Sequence, residues 1–585
     1  MTKYQSNSKW KKNPQSGEWN NPDNWEEGQL PSDEAVFSSS NETEITFSKE
    51  QSAQVGALIF DENASSFQLK FGTRTTDEKL MLTISGEGVV NRSGRPQCLK
   101  VAATNYHYYD PQLQFAGSAS AGGNDVYYES GPESLEEGYG GGIIGFTEKS
   151  HAGEANFVVR TGKKDPPNPK VKPSTVGGEV SFKDHSRANR AKFTIYGSLS
   201  LDDGDTFGNT VFHDYASADH GTFINVGATV ANGDGGNTQF YDHSTSDHGL
   251  FLNFGASHEK GNGGDVAFDG FASASHGVFQ NFAATAEGGF GGVTSFNNNK
   301  PFMDSVGASA GHAFFHNFGA KEKTDGGGGH TEFTAKFGSA SAFRATIMNY
   351  GSVLELDNTA GYTLFSVTLP SNYFPSAGEA VIRNYPGVVK GSSPGRTTFK
   401  IRGDGEPGKN VPTADKSTIE NFGGTVQGAL GGFVSFSETC RAEKATLIAY
   451  GGINGGLGGK IIFSDQSQGE DSVIQLFGNG ILDLSWHVGQ FHCKKMVLNE
   501  GLIELNLGTE DSCMVISESL DIQSKHTRFL FTWNANDPIE PGRKYRILSA
   551  SNLDSYPIAT FESNSPDGLE PKFKLEKNTL FVSFS

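Results

Sequence analysis

Histidine, arginine and lysine return at one position of a repeat, and this is where chemistry would have to reside. Counting five residues back from a recurring asparagine gives Arg190, His220, His248, His276, His312, Arg344, Glu379, Lys416 and Lys444. All but Glu379 are cationic or become so on protonation. Acids stand beside them: Asp219, Asp247, Asp415 and Glu443 each precede that position. A second acidic series, Asp184, Asp214, Asp242 and Asp465, follows a recurring phenylalanine by two.

Three chemistries fit these residue types. Stacked imidazoles that charge near about pH 6 would bind a repeating anionic or hydroxylated polymer in a pH-sensitive way. The ligand-binding candidates are then His220, His248, His276, His312, Arg190 and Arg344. Carboxylates about 5 Å apart serve retaining glycoside hydrolysis, and wider pairs serve inversion. On that reading the catalytic pairs are Asp214 with Asp242, or Asp219 with Asp247. The third reading is a solvated corner, because His, Asp, Ser and Gly all suit turns. A catalytic site breaks a repeat and these residues keep it, which argues against catalysis.

Positioning such columns requires in-register coils. Between Asn209 and Gly329 the chain repeats one unit, with steps of 28 residues from Phe212 to Phe240, Phe268 and Phe296. Four columns run through it. One is phenylalanine, from Phe182 to Phe463. One is asparagine: Asn225, Asn253, Asn281, Asn317, Asn349, Asn384 and Asn421. One follows the asparagine and is mostly aromatic, among them Tyr196, Phe254, Phe282, Phe318, Tyr350, Tyr385, Phe422, Tyr450 and Phe477. The last is paired glycine, as in Gly235-Gly236 and Gly263-Gly264. Coils at the strand spacing of about 4.8 Å would stack like on like. Rings then bury apolar area, and buried amides are affordable only if each bonds the next. Glycine is expected at the corners for its access to positive φ. Short alternating runs such as Thr222-Phe223-Ile224-Asn225 exclude a helical repeat.

The fold expected is all-β: a single-stranded right-handed parallel β-helix, or β-solenoid, with an N-terminal aromatic cap and a C-terminal β cap. Residues 1–97 would hold the cap and first coils. Residues 98–180 would be irregular coils with long loops, 181–470 the regular array, and 471–585 aliphatic coils and the closing cap. The net charge of −20 argues against a nucleic-acid partner. No stretch approaches the ~20 apolar residues of a membrane helix. Cys98, Cys440, Cys493 and Cys513 show neither metal spacing nor a disulfide framework; no metal and no cofactor is implied. Arg402-Gly403-Asp404, in IRGDGEPGKN, is a cell-attachment candidate, with turn chemistry as the plain alternative.

Both ends carry a resemblance. Trp19, Asn24, Trp25, Gly28, Pro31 and Phe37, in GEWNNPDNWEEGQLPSDEAVF, are followed by Gly86, Gly88 and Asn91 in LTISGEGVVNRSG. This resembles the capping segment of bacterial right-handed β-helix proteins of the autotransporter-passenger type. The strand at Tyr545, Arg546, Ile547 and Leu548 and the terminal LFVSF resemble the end of such a passenger. The resemblance implies surface display and no particular ligand. The expected function is a bacterial surface-displayed or secreted interaction protein, adhesin- or effector-like and non-catalytic, whose partner is a host-surface glycan or protein. The alternatives are a polysaccharide hydrolase or lyase and an intracellular structural scaffold. The opening MTKYQSNSKWKKNPQSGEWNNPDNW has no apolar run of a secretory signal. Export would then need another route or a leader removed before this numbering, and a cytoplasmic location is the alternative.

Overall fold

The computed structural model describes residues 7–47, 52–72, 82–103, 112–132, 141–162, 177–199, 207–297, 307–356, 358–403, 411–507, 514–533, 539–565 and 569–585. The chain is all-β and forms two compact units, Met1–Gln280 with Ala284–Thr294, and Asn281–Ala283 with Ser295–Ser585. Each unit is a parallel β-helix.

In the regular part of the first unit each coil contributes two short strands. Asn209–Phe212 pairs in parallel with Asn237–Phe240, and that strand with Asp265–Phe268, placing Phe212, Phe240 and Phe268 at one register position. The second strand of each coil, Thr222–Asn225, pairs likewise with Leu250–Asn253. Between the two strands neighbouring coils also join by single-residue β-bridges, in the column Arg187, Ser217, Thr245, Ser273. Alternate residues point inward, as the period of a strand dictates. Rings of Phe182, Phe212, Phe240 and Phe268 stack at 4.7 Å, and those of Phe193, Phe223, Phe251 and Phe279 at 4.7–4.8 Å. All are fully buried. Each contributes roughly 1.5–3 kcal/mol of burial, and a well-placed aromatic pair adds about 0.5–1.5.

The second unit uses the same interior. Phe333, Phe365, Phe399, Phe436 and Phe463 stack at 4.6–4.7 Å. The asparagines are buried throughout. Each Nδ2 donates to the next Oδ1 at 2.8 Å, from Asn281 through Asn317, Asn349 and Asn384 to Asn421, as Asn225 does to Asn253 in the first unit. Asn317 shows why the column tolerates burial. Its Oδ1 accepts from Asn281 Nδ2 and Thr331 Oγ1, and its Nδ2 donates to Asn349 Oδ1 and to the Tyr362 carbonyl. Every hydrogen-bonding valence of the amide is used.

Two expectations need correction. The paired glycines are not there for positive φ. A Cβ on Gly264 would stand 2.1 Å from the Asn225 carbonyl oxygen, and one on Gly236 would stand 2.1 Å from that of Ile195. Close backbone approach at the corner is what excludes a side chain. The positive φ falls instead on acids and amides, among them Asp184, Asn189, Asp214, Asp219, Asp242 and Asp247. Nor does the aromatic column after the asparagines lie inside. Phe282, Phe318, Tyr350, Tyr385, Phe422, Tyr450 and Phe477 stack at 5.0–5.6 Å on the outer surface, half-buried.

Both caps form as expected. Trp10, Trp19 and Trp25 are fully buried. Trp25 meets Trp10 edge-on at 5.1 Å and Trp19 at 4.9 Å, and Trp19 stacks on Phe47 at 4.7 Å. Asn24 makes the "NW" pair intelligible. Its buried amide donates to the Glu18 carbonyl and Ser16 Oγ and accepts the backbone N–H of Gln15 and Ser16, pinning the loop that carries the tryptophans. At the other end Pro571–Glu576 and Thr579–Phe584 form an antiparallel hairpin, whose second strand also pairs antiparallel with Tyr545–Ala550. These antiparallel strands end the parallel ladder at Tyr545–Ala550.

Candidate functional site

The histidine column lies on a corner of the first unit. The turn into the second strand of each coil needs one residue in the left-handed region, supplied by Asn189, Asp219, Asp247 and Ser275. Such residues accept positive φ because their short polar side chains bond locally. The residue before the turn adds a hydroxyl: Ser217, Thr245 and Ser273 accept the N–H two residues on, at 2.9, 3.0 and 3.1 Å. The next residue after each turn is then thrown outward, and these are Arg190, His220, His248 and His276.

The three imidazoles form a ladder. His220 stacks on His248 at 5.1 Å and His248 on His276 at 5.2 Å, with planes within 7°. His220 Nδ1 lies 2.5 Å from Asp219 Oδ1, His248 Nδ1 lies 2.7 Å from Asp247 Oδ1, and His276 Nδ1 lies 3.1 Å from Ser275 Oγ. A carboxylate at Nδ1 holds the proton there. In the neutral ring Nε2 is then an acceptor, and on protonation it becomes a donor. Nε2 of His220 and of His248 has no hydrogen bond among the described residues.

A second ladder borders the same corner on its other side, outside the four sequence columns. Three residues beyond the core phenylalanine stand His185, Tyr215, His243 and Phe271, stacked at 5.4, 5.1 and 5.0 Å. Tyr215 is 58% exposed. The signal was present, since a ring-bearing residue recurs at that position in four successive coils. Between the two ladders runs the floor of Arg187, Ser217, Thr245 and Ser273.

The acids proposed for catalysis have a structural task. Asp184 Oδ2 accepts the Glu148 N–H at 2.8 Å, Asp214 Oδ2 the Asp184 N–H at 3.0 Å, and Asp242 Oδ2 the Asp214 N–H at 3.2 Å. Each carboxylate thus caps the turn of the coil before it. Asp219 and Asp247 hold the imidazoles already described.

His312 and Arg344 belong to the second unit. The His312 ring meets Phe343 edge-on at 5.7 Å. Arg344 Nε is 2.8 Å from Glu379 Oε2, and Lys416 Nζ is 3.9 Å from Glu379 Oε1, so Glu379 is the anion of that column. Arg402 ends the strand Arg396–Arg402, exposed, and Gly403 follows with φ of 88°. Asp404 lies outside the described residues, as does Cys513. Cys98, Cys440 and Cys493 are free thiols. The stretch Gly307-Ala308-Ser309-Ala310-Gly311 spells the G-x-S-x-G of a nucleophile elbow. Here Ser309 instead bridges Ser341 and accepts the Gly311 N–H at 3.1 Å, a turn without the helix that an elbow requires.

Two depressions open on the first unit. One, of about 300 Å³, lies on the outer sheet face and is lined in part by Glu179, Lys183, Asn209, His213, Gln239 and Tyr241. Burial pushes the Glu179 carboxyl up to about 7, against the opposing pull of Lys183 and Asn209. Burial also holds the His213 imidazole below its ordinary range, although Asp242 Oδ2 stands 3.6 Å from its Nδ1. The other depression, of about 630 Å³, is lined by Lys149, His151, His185, Arg187, Asn189 and Asp219, where the corner face reaches the coil of Arg187.

Among the described residues no three His, Cys, Asp or Glu side chains converge as metal ligands, and no helix is long and apolar enough to cross a membrane. Compared with known proteins, the chain matches no family and no curated sequence.

Proposed function

We propose that this protein is a non-catalytic, surface-displayed or secreted bacterial interaction protein that binds an extended glycan along the corner of its first unit. One observation carries the reading: two ladders of exposed, stacked rings flank a hydroxyl-bearing floor over successive coils. The faces of these rings are covered by one another, so a ligand lying along the corner meets ring edges. Recognition is then by hydrogen bonds from imidazole Nε2, the Tyr215 hydroxyl and the Ser and Thr hydroxyls. Identical groups one coil apart match a polymer whose own hydroxyls recur at similar intervals. Single bonds of this kind are worth about 1 kcal/mol, and their repetition supplies affinity. The carboxylates of Asp214 and Asp242 are occupied by backbone amides, which supports binding over turnover. The segment around Trp19 and Trp25 and the closing strands resemble those of autotransporter passengers, which supports surface display.

A glycan array followed by calorimetry on the whole chain tests this. Binding of a polysaccharide should weaken about tenfold or more in the double variant His220→Ala/His248→Ala, since two adjacent rungs are lost. Unchanged affinity would remove the basis of the proposal. Turnover of any polysaccharide that Asp214→Asn abolishes would replace it with the enzyme reading.

A further inference from the structure

We infer that the depression lined by Lys149, His151, His185, Arg187, Asn189 and Asp219 binds one anionic substituent, a sulfate or carboxylate, of an acidic glycan. The site rests on the reading of the corner as a glycan-binding face and names the class of glycan.

The charge pattern comes first. On a chain of net charge −20, the ten residues 183–192 carry Lys183, Arg187, Arg190 and Lys192. Lys149 and Arg187 make no ion pair among the described residues, and both are exposed. The second unit offers a control. Arg441 occupies the same single-residue bridge position as Arg187, and its Nη1 is paired with Glu470 Oε1 at 3.2 Å. The same kind of cation is neutralised in one unit and left open over a concavity in the other.

The nearby carboxylates are committed elsewhere. Asp184 Oδ2 accepts the Glu148 N–H, and Asp219 Oδ1 holds His220 Nδ1. A ligand oxyanion therefore meets a guanidinium and an ammonium whose partners have not been supplied by the protein. Guanidinium presents a planar fork that suits a sulfate or carboxylate.

His151 lines the same depression. His151 Nδ1 is buried without a hydrogen-bond partner. Burial first, and Arg187 beside it second, hold this imidazole below its ordinary range, outweighing the opposing pull of Asp219. The neutral ring adds no charge beside the guanidinium, which suits a sugar hydroxyl next to the charged group. The carboxylate ladder of Glu148, Asp184, Asp214 and Asp242 runs along the neighbouring turn and repels a dense polyanion. One charged group at a time fits this surface, and a run of phosphates does not.

The test uses the whole chain and three disaccharides of equal size, sulfated, uronate-bearing and neutral, measured by calorimetry. The sulfated or uronate form should bind more tightly than the neutral one, and the tighter of the two names the substituent. Arg187→Ala should weaken it about tenfold and Lys149→Ala somewhat less, while Arg441→Ala changes nothing. About 0.5 M salt should erase the preference for the charged sugar. Equal binding of charged and neutral sugars, or an Arg187→Ala variant of wild-type affinity, overturns the proposal. If acidic disaccharides need Arg187 and polymers ignore the ladder, this site stands and the polymer reading falls. If polymers need the ladder and Arg187 is indifferent, the reverse holds.

Discussion

The coils of the first unit and those of the second are built on the same kind of interior and differ outside. In both, stacked phenylalanines and a hydrogen-bonded asparagine ladder fill the core. In the first unit the corner exposes two ring ladders and, among the described residues, cations without ion-pair partners. In the second, Arg344 is matched to Glu379 and Arg441 to Glu470, and an outer aromatic stack runs along another edge. The outer row at the start of the first strand also differs. It reads Glu179, Asn209, Asn237, Asp265 in one unit and His330, Tyr362, Arg396 in the other, where His330 and Tyr362 stack at 4.5 Å and the Arg396 guanidinium lies 4.8 Å over the Tyr362 ring. Repetition inside builds the solenoid, and departure from repetition outside is where specificity can reside.

If the interiors are equivalent, the same lesion should do equal damage in either unit. Asn317→Ala removes four hydrogen bonds and strands the groups that made them, a loss of about 3–5 kcal/mol. Asn253, which accepts from Asn225 Nδ2 and donates to the Val293 carbonyl and Thr294 Oγ1, should show a loss of similar size as alanine. Hydrogen exchange resolves each unit separately, which suits a solenoid whose coils open locally. A loss confined to one unit would break the equivalence.

The outer rows predict opposite responses to pH. Glu179 is raised from its ordinary 4.5 to about 7. The native state therefore binds the extra proton between those values, and stability is full below about pH 4.5 and declines as pH rises through 7. A shift of this size amounts to at most about 3 kcal/mol, and Glu179→Gln should restore it at pH 8 while changing little at pH 4. His330 moves the other way. Burial depresses its imidazole against the raising influence of Glu332 and the Gly328 carbonyl. Its contribution is full above the ordinary histidine range and is lost as pH falls, so His330→Gln should protect the second unit in acid. Protection measured against pH in each unit would show one slope of each sign, and two slopes of the same sign would sink the contrast.

The smallest effect concerns the turn ladder. Asp214→Asn keeps a residue that tolerates positive φ and loses only charge, so it should change stability by less than about 1 kcal/mol. Asp214→Ala loses the bond to the Asp184 N–H and strains the turn, for about 1–2 kcal/mol. Thermal unfolding of the two variants separates them. A collapse of fold in Asp214→Asn would mean that the carboxylate does more than cap the neighbouring coil.

Much of this was readable before any coordinates. A step of 28 residues with Phe and Asn in fixed columns has one economical solution, because coils in register place each amide beside the next. The tryptophan cap was readable for the same reason: large rings close an open end. The site was only half readable. The His220, His248 and His276 series stood out as identical residues, whereas His185, Tyr215, His243 and Phe271 differ in name and share only a ring. The Lys149 and Arg187 depression draws on three coils, and no spacing within one coil reports whether a cation has found a carboxylate.

By itself the sequence determined the period, and with it the strands, the stacked core and the ends, since a side chain repeated at strand spacing must meet its own copy. Tertiary structure alone decided which columns face water and which charges stay unpaired. The sign of φ at Asp214 and Asp219 and the crowding at Gly264 turn on backbone approach between neighbouring coils. That approach is a property of distance in space, which residue order does not contain.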